Sequence, residues 1–170
     1  QRSTIEKIPG VRQVSPFTYF GGLFRDETTT SWAQFAVDPA RFRELILEGK
    51  IIEGSYDAWV KNRNGCMVGA DTLRRYGLKV GDKLRFTGTF YPVDLELTIE
   101  TVYAGTIDDR NCFFHHALLD QLMDDWGMVG TWYMMADSAD AVDGVIKGVN
   151  AAFENTSAEV RAETERAFQL

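Results

Sequence analysis

The side chains best suited to chemistry lie in one short stretch. Cys112, His115 and His116 follow closely after Asp108 and Asp109. A helix would place Cys112 and His116 on the same face, because residues four apart are neighbours on a helix. The spacing nevertheless matches no zinc motif, and a tetrahedral site would still need two more ligands. We therefore expect ordinary packing or solvation at this stretch and assign no metal-binding residue.

The chain has only two cysteines, Cys66 and Cys112, which are too few for a disulfide scaffold. In an oxidising compartment the two could pair with each other. Sequence alone does not place their Cα atoms within bonding reach, and two buried free thiols are the simpler expectation. Both alternatives stay open at this point.

No other pattern indicates catalysis. A GxSxG nucleophile elbow is absent, and the two histidines lie together and not beside a serine or cysteine in a known motif. The phosphate-cradling loops GxxxxGK[ST] and GxGxxG are also absent, so this chain is not expected to hydrolyse ATP. The acidic pairs Asp108-Asp109 and Asp124-Asp125 are typical of solvated turns and helix ends. We assign no catalytic and no cofactor-binding residue, and we expect no cofactor.

Aromatic residues make up 12% of the chain and could line a groove for a sugar or a peptide. Most of them must lie in the core. Exposure of any member of one small set would argue for ligand binding: Trp32, Trp59, Phe90 and Tyr91.

Composition excludes several functional classes. The 170 residues are 45% hydrophobic and 25% charged, which is typical of a folded domain large enough to bury a core. The formal net charge of −7 repels phosphate backbones and anionic lipid headgroups, so nucleic-acid binding is not expected. No apolar run approaches the roughly 20 residues that cross a bilayer.

The elements that would position any site follow from hydrophobic periodicity. Residues 93–103 alternate between apolar and polar side chains, which predicts an antiparallel strand with one wet face. Further strands are predicted at residues 11–20, 28–37, 66–68, 83–87 and 131–136. Helices are predicted from Pro39, over residues 70–76, over 115–126 and over the stripe from Val142 to Phe153. Gly77 is predicted to end the second of these in the left-handed conformation. Residues 155–157 break the last of these helices, and residues 158–170 fit a strand and a helix equally well. The sum is an α+β fold with a strand-rich middle.

The two ends resemble cut ends. The first ten residues contain neither an initiator methionine nor the apolar stretch of a signal peptide, and the last residues form no polar tail. We expect a segment of a longer protein, or a mature chain after processing.

The stretch VGADTLRRYGLKVGDKL at residues 68–84 resembles a pattern in the extracytoplasmic domain of MacB/FtsX-type ABC transporter permeases. Three other stretches are similar to that family in order and spacing: Ile8-Pro9-Gly10-Val11 with Val14, Val37-Asp38-Pro39 with Phe42 and Gly49, and Glu163-Thr164-Glu165 with Phe168. The matches run from about residue 5 to the end. Residues 25–30 and the pair His115-His116 match nothing in the pattern, and the family's first strand is shortened.

The resemblance implies two lobes. A porter-like α/β lobe would be built from residues 1–38 and 113–170, and a β-rich lobe would be inserted as residues 39–112. The domain would lie outside the cytoplasmic membrane, in the periplasm, between two membrane helices that are absent from this chain. It would not be an enzyme.

The same resemblance implies a function and partners. ATP binding at a cognate cytoplasmic ATPase would bring two permease copies together, and the domain would transmit that movement to export or to a periplasmic adaptor or substrate protein. Such systems serve efflux, lipoprotein transport or hydrolase regulation. Interface positions would then matter more than catalytic ones, and a patch of exposed apolar residues on the middle lobe is the expected docking surface.

Two other functional classes stay open. The first alternative is a secreted or periplasmic module that binds a peptide, lipid or glycan, which would need an aromatic-lined pocket of about 300 Å³ or more. The other is an enzyme built on the carboxylates or on His115 and His116. That enzyme would require these groups to converge in one cleft with perturbed ionisation.

Overall fold

The computed structural model describes residues 2–43, 49–127, 129–154 and 161–164. The strands are β1 (Val11–Tyr19), β2 (Leu23–Phe24), β3 (Gln34–Val37), β4 (Lys50–Gly54), β5 (Gly65–Gly69), β6 (Lys83–Thr87), β7 (Asp94–Ala104), β8 (Cys112–His115) and β9 (Thr131–Ala136). The α-helices are α1 (Arg2–Glu6), α2 (Pro39–Phe42), α3 (Tyr56–Lys61), α4 (Ala70–Arg75), α5 (His116–Leu122) and α6 (Val142–Phe153), and a short 3₁₀ helix spans Ala139–Ala141. The predicted α+β class is confirmed.

The strands belong to one mixed sheet with the order β2-β6-β7-β5-β8-β3-β1-β9, and β4 pairs with β7 beside this path. Most neighbouring pairs are antiparallel. The parallel pairs are β3 with β8 and β5 with β7. Residues 93–103 were predicted to form an antiparallel strand. This prediction holds for the pairing of β7 with β4 and β6, which is antiparallel, but β7 also pairs with β5 in parallel.

Two hydrophobic clusters cover opposite faces of the central strands. Cys66 and Val68 of β5 belong to the larger cluster, whereas Met67 between them belongs to the smaller one. Phe113 of β8 likewise packs in the smaller cluster, between two neighbours of the larger. Because successive strand side chains point to opposite faces, the centre of the sheet is buried on both sides.

The ends of two helices show how the sequence sets the boundaries. At the end of α4, Gly77 adopts a φ of +63° and the Leu78 amide donates to the Leu73 carbonyl at 2.9 Å, which is the predicted glycine stop. The helix predicted over residues 115–126 is shorter, since α5 ends at Leu122. Asp124 and Asp125 adopt φ values of 55° and 57°, so the chain turns there and cannot continue as a helix.

The chain divides into two compact units. Unit 1 comprises residues 1–15 and 133–170, and unit 2 comprises Pro16–Trp132. The boundaries expected from the family resemblance, with residues 39–112 as the insertion, stay a prediction. Within unit 2, β3 and β8 pair with each other, and β8 also pairs with β5.

Unit 1 is organised around α6, whose buried side chains Val145, Val149 and Phe153 form the predicted apolar stripe. Gly148 allows Ile8 to pack closely, since a Cβ at Gly148 would lie 2.7 Å from the Ile8 Cγ2 atom. The side chain of Asn150 exchanges hydrogen bonds with the backbone of Ala162. These contacts join the two ends of the chain within this unit.

Some predictions fall outside the described residues, namely Leu45 and Ile46 of the helix that begins at Pro39, the break at residues 155–157, and most of residues 158–170. The predicted strand over residues 28–37 is shorter, since β3 begins at Gln34. In the ranges that the structure describes, no helix combines the length and the apolar character that crossing a membrane requires.

Candidate docking surface

Unit 2 carries two pairs of aromatic side chains that reach solvent, which we together call the aromatic shelf: Tyr19 with Phe90, and Tyr91 with Trp126. Phe90 is 76% exposed, Trp126 50% and Tyr19 43%, whereas Tyr91 is half-buried. The ring centroids of Tyr19 and Phe90 lie 6.4 Å apart, and those of Tyr91 and Trp126 lie 6.0 Å apart. Each ring therefore contacts one other ring of the set, and tyrosine and tryptophan are residue types enriched in binding hot spots.

The shelf is anchored in the core through Tyr91. Its ring stacks on that of Phe20 at 5.7 Å and 6°, and Phe20 in turn meets Phe114 edge to face at 5.8 Å. Phe20 and Phe114 are fully buried. Burial also raises the pKa of the Tyr91 hydroxyl above its usual value. The pair formed by Tyr91 and Trp126 thus stands on a packed base.

Glycines let the chain close beneath the shelf. Gly21 has a φ of +67°, and a Cβ there would lie 2.7 Å from the Tyr19 ring and 3.0 Å from the Phe90 ring. The Thr89 hydroxyl donates to the Gly21 carbonyl at 2.8 Å, which ties residues 88–94, the Phe90 turn, to the end of β1. A Cβ at Gly88 would lie 2.1 Å from the carbonyl oxygens of Tyr91 and Val93. The turn therefore has little room to rearrange.

A second exposed apolar side chain, Ile107, stands on residues 105–110, the Ile107 loop, and is 92% exposed. The Asp109 carboxylate organises this loop by accepting from the Gly105 amide at 3.0 Å and from the Thr106 amide at 2.9 Å and hydroxyl at 2.6 Å. Burial alone would raise the pKa of Asp109, but these hydrogen bonds outweigh it and hold that pKa below its ordinary value.

The Ile107 loop is fixed to the sheet and to α4. The Tyr103 hydroxyl donates to the Asp108 carbonyl at 3.0 Å, and the Asp71 amide donates to the Asp109 carbonyl at 3.1 Å. A Cβ at Gly69 would lie only 2.1 Å from that same Asp109 carbonyl. The predicted acidic pair at this position is therefore a loop-building element.

A cavity of about 310 Å³ lies in unit 2. Its walls include the charged side chains of Asp71, Arg75, Asp108 and Arg110 together with hydroxyl groups, and Tyr19 is its one aromatic wall among the described residues. Arg110 is held in place because it donates to both carboxylate oxygens of Asp108, at 2.8 and 3.3 Å. The cavity has the size of a small-ligand site, and its walls mix charged and hydroxyl groups with a similar extent of apolar surface.

The edge strand β4 is exposed along its whole length and presents Ile51 and Ile52 to solvent. It pairs antiparallel with the C-terminal part of β7, with a register shift between Ile51 and Glu53. Such a shift twists an edge and opposes uncontrolled strand pairing.

His116 lies in a buried polar network. Its Nδ1 atom lies 3.2 Å from the Asp120 carboxylate and its Nε2 atom 3.1 Å from the Thr18 hydroxyl, which also accepts from the Gly130 amide at 3.1 Å. The order of carboxylate, imidazole and hydroxyl is that of a catalytic triad. However, the hydroxyl of Thr18 is buried, and these side chains are not among the walls of the 310 Å³ cavity. The network fastens β1 to α5.

His115 has different surroundings. Its Nε2 atom lies 2.7 Å from the Trp59 carbonyl, and burial lowers the pKa of the imidazole below its ordinary value. Since His115 and His116 contact different partners, the two side chains do not converge in one cleft.

Cys66 and Cys112 are both free and fully buried. The register places Cys66 opposite Phe114 and Cys112 opposite Val68, so the cysteines are diagonal neighbours on one face of the β5–β8 pair. Burial, followed by the neighbouring Cys112, raises the pKa of the Cys66 thiol well above its usual value. The Cα atoms of diagonal positions stand about 7–8 Å apart, which is beyond the usual range for a disulfide without backbone movement.

No group of three or more metal-capable side chains occurs within the part of the chain that the structure describes. Asp108 and Asp109 belong to the Ile107 loop. Asp124 and Asp125 lie in the turn directly before Trp126, exposed to solvent.

Of the aromatic residues singled out from the sequence, Trp32 and Trp59 are buried and Phe90 is exposed. Tyr19 and Trp126 of the shelf were missed. Tyr19 has the residue type of a core strand, and Trp126 continued the helical spacing of Leu118, Leu122 and Met123. The consecutive aspartates before Trp126 are the signal in the sequence that could have indicated a turn and an exposed tryptophan.

The sequence matches no protein-family model and no curated protein. The structure is similar to the extracellular domain of the noncanonic ABC-type transporter YknZ from Gram-positive bacteria, with a TM-score of 0.64 at 10% identity over 90% of this chain and 80% of that one. It is also similar to the periplasmic region of MacB from Actinobacillus actinomycetemcomitans, with a TM-score of 0.62 at 12% identity over 88% of this chain and 71% of that one.

A third similar structure is a domain described as part of a permease protein from Porphyromonas gingivalis, with a TM-score of 0.56 at 15% identity over 96% of this chain and 70% of that one. These identities are low, so the likeness concerns the fold. The α+β sheet that carries the aromatic shelf therefore has the fold of the extracytoplasmic domains of MacB and YknZ, as the permease resemblance in the sequence predicted.

Proposed function

We propose that this chain is the extracytoplasmic domain of an ABC transporter permease, located in the periplasm or its equivalent outside the cytoplasmic membrane. The observation that carries the proposal is the fold, which matches the MacB and YknZ domains over 88% and 90% of this chain. The resemblance of residues 68–84 to the permease pattern supports it independently of the fold.

The domain works by contact and performs no chemistry of its own. ATP binding at a separate cytoplasmic ATPase draws two permease copies together, and this domain transmits the movement to export or to a periplasmic partner. Two features of unit 2 support a role as a rigid transmitter: a sheet that is packed on both faces at its centre, and exposed apolar side chains that stand on ordered turns.

Membrane topology of the full-length gene product tests the proposal. We expect the product to sediment with membranes and to lose this domain to a protease added from outside, because spans of roughly 20 apolar residues should flank it on both sides. A product that is released as a soluble protein by a cleaved secretory signal would contradict the proposal.

That soluble outcome would favour the binding-module alternative, for which the 310 Å³ cavity provides sufficient volume. The charged side chains in its walls, with Tyr19 as an aromatic wall, would then direct the search toward small charged ligands and away from lipids.

A further inference from the structure

We propose that the 310 Å³ cavity of unit 2 binds a free α-amino acid with an apolar side chain. The inference goes beyond the proposed function, since transmission of movement needs no small ligand. Three features of the cavity carry it: walls that are joined by hydrogen bonds, a lining with both signs of charge, and one group of each sign that a ligand can still engage.

Two of the walls, α4 and the Ile107 loop, are bonded directly to each other. The Thr72 hydroxyl donates to the Arg110 carbonyl at 2.7 Å, and both residues line the cavity. The Asp71 amide donates to the Asp109 carbonyl at 3.1 Å. These two walls are therefore in place before a ligand arrives, which reduces the ordering that binding costs.

The third wall is formed by residues 30–33, which precede β3. The Cys112 amide donates to the Ala33 carbonyl at 2.9 Å, so this segment is fixed to the chain that follows the Ile107 loop. The Ser31 hydroxyl lies 3.1 Å from the hydroxyl of Tyr76, the residue directly after α4. Hydrogen bonds thus link the three walls in a closed ring.

The lining contains two carboxylates and two guanidinium groups, those of Asp71, Asp108, Arg75 and Arg110. Asp108 and Arg110 bind each other. One oxygen of Asp71 accepts from Arg74, which is outside the lining, at 2.6 Å, and the other oxygen accepts no hydrogen bond from the described residues. In the same part of the chain, no salt bridge involves Arg75. Asp71 and Arg75 are therefore the charges that a ligand can engage.

Glu27 is a further carboxylate close to Arg75. Hydrogen bonds from the hydroxyl groups of Ser31 and Tyr76 lower the pKa of Glu27, and the charge of Arg75 lowers it less strongly. Each of the two hydroxyls donates to a different oxygen of the Glu27 carboxylate. Glu27 is thus engaged by these hydroxyl groups and leaves the Arg75 guanidinium to a ligand.

Asp71 and Arg75 select a ligand that carries both signs of charge. They lie four residues apart on α4, so their Cβ atoms are neighbours about 5–6 Å apart. An α-amino acid carries an ammonium group and a carboxylate on one carbon atom, and these can bind Asp71 and Arg75 at the same time. A ligand of a single sign would be attracted by one member of the pair and repelled by the other.

The remaining lining selects the rest of the ligand. Tyr19 and Ala33 provide apolar wall for a side chain, and the polar and apolar parts of the lining are similar in extent. A volume of about 310 Å³ lies at the lower end of the range for small-ligand sites. It suits a single amino acid better than a peptide.

The experiment is a nuclear magnetic resonance titration of the isotope-labelled 170-residue chain with L-leucine. Two matched probes are isocaproate, which is leucine without its ammonium group, and isoamylamine, which is leucine without its carboxylate. We expect L-leucine to shift the amide signals of the lining residues with a dissociation constant on the order of 1 mM, because exposed charge pairs contribute little. Each matched probe should bind about fivefold more weakly.

Variants assign the two charges. Arg75→Gln and Asp71→Asn should each weaken L-leucine about fivefold. A merely structural role would weaken all three probes equally, whereas we expect Arg75→Gln to leave isoamylamine unchanged and Asp71→Asn to leave isocaproate unchanged. The controls are Arg43→Gln and Asp57→Asn, which change an exposed ion pair outside the lining and should leave L-leucine binding unchanged. The signal dispersion of each spectrum establishes that the variant is folded.

Several outcomes would overturn the inference: no binding of L-leucine, equal binding of either matched probe, signal shifts away from the lining residues, or equal losses in the lining variants and their controls. Tighter binding of the dipeptide L-leucyl-L-leucine would also overturn it, because the cavity would then be a peptide site. None of these results bears on membrane topology, so a failed inference and a failed function remain distinguishable.

Discussion

The Phe90 turn and the Ile107 loop both hold an apolar side chain in solvent, but different forces fix them. In the Phe90 turn the fixed element is a ring, since Tyr91 stacks on the buried Phe20. In the Ile107 loop the fixed element is a carboxylate, since Asp109 accepts three hydrogen bonds from Gly105 and Thr106. Exposure alone is thus a poor guide to order, because the ordering group lies one or two residues away from the exposed one.

The difference has a consequence for how each region responds to its surroundings. Ring packing is insensitive to pH and salt, whereas hydrogen bonds to a carboxylate are lost when the carboxylate is protonated. Acid should therefore destabilise the Ile107 loop but not the Phe90 turn. Substitutions in the two regions should likewise change the free energy of unfolding by different amounts.

The largest effect is expected for Gly69→Ala. A Cβ at this position would lie 2.1 Å from the Asp109 carbonyl oxygen, so β5 and the Ile107 loop would have to move apart. We expect the free energy of unfolding in urea to fall by about 3 kcal/mol. The control is Gly144→Ala in α6, where an added Cβ has no atom within 4 Å. This variant should raise the free energy of unfolding by about 0.5–1 kcal/mol, because alanine favours a helix over glycine. Equal stabilities for the two variants would show that the close approach is absent.

The next effect concerns the anchoring ring. Tyr91→Ala removes the stack on Phe20 and should lower the free energy of unfolding by about 2 kcal/mol. Phe90→Ala is the control, because a ring that is 76% exposed should change stability by no more than about 0.5 kcal/mol. A larger loss for Phe90 than for Tyr91 would reverse the roles assigned to these neighbours.

A smaller, pH-dependent effect is expected for Asp109→Asn. The pKa of Asp109 is lowered in the folded chain, so its contribution is fully present above the unfolded value near 3.9 and is lost as pH falls through the folded pKa. At pH 7 the free energy of unfolding of the variant should be about 1 kcal/mol lower than that of the wild type. The difference in melting temperature between wild type and variant should shrink toward pH 2.5, and a constant difference would contradict the role of the charge.

The smallest effect is expected for Ile107→Ser. Because polar hydrogen bonds hold the loop and the side chain is 92% exposed, the free energy of unfolding should change by less than about 0.5 kcal/mol. Hydrogen exchange of the Thr106 amide should stay as slow as in the wild type. Faster exchange would mean that Ile107 helps to order its own loop.

Local rules predicted those parts of the fold that local chemistry determines. The glycine stop at Gly77 and the strand β6 follow from residues within a few positions, and the alternation in β7 was visible directly. The short strand β2 and the exposed strand β4 escaped prediction because strand pairing with β6 and β7, over long sequence separations, defines them.

The candidate surface was only partly predictable for the same reason. The sequence marked Phe90 as evidence for ligand binding if it proved to be exposed. Its neighbour Tyr91 instead packs inward on Phe20, and this contact joins residues about 70 positions apart in the chain. Trp126 was assigned to a helix face because hydrophobic periodicity gives no information on backbone conformation. It could not show that Asp124 and Asp125 adopt positive φ values and end the helix before Trp126. Which aromatic rings face solvent was therefore decided by tertiary packing.

The central claim is that the domain passes movement driven by ATP to a partner outside the membrane. Pulsed electron paramagnetic resonance tests it on the full-length permease with its ATPase, using a spin label at Glu53→Cys in each copy. Within this domain the native Cys66 and Cys112 are fully buried, so labelling here is confined to the exposed position 53, and any cysteine elsewhere in the permease or the ATPase is replaced by serine. The account predicts that the distance distribution between the two labels shifts when a non-hydrolysable ATP analogue binds, and identical distributions with and without the nucleotide would contradict it.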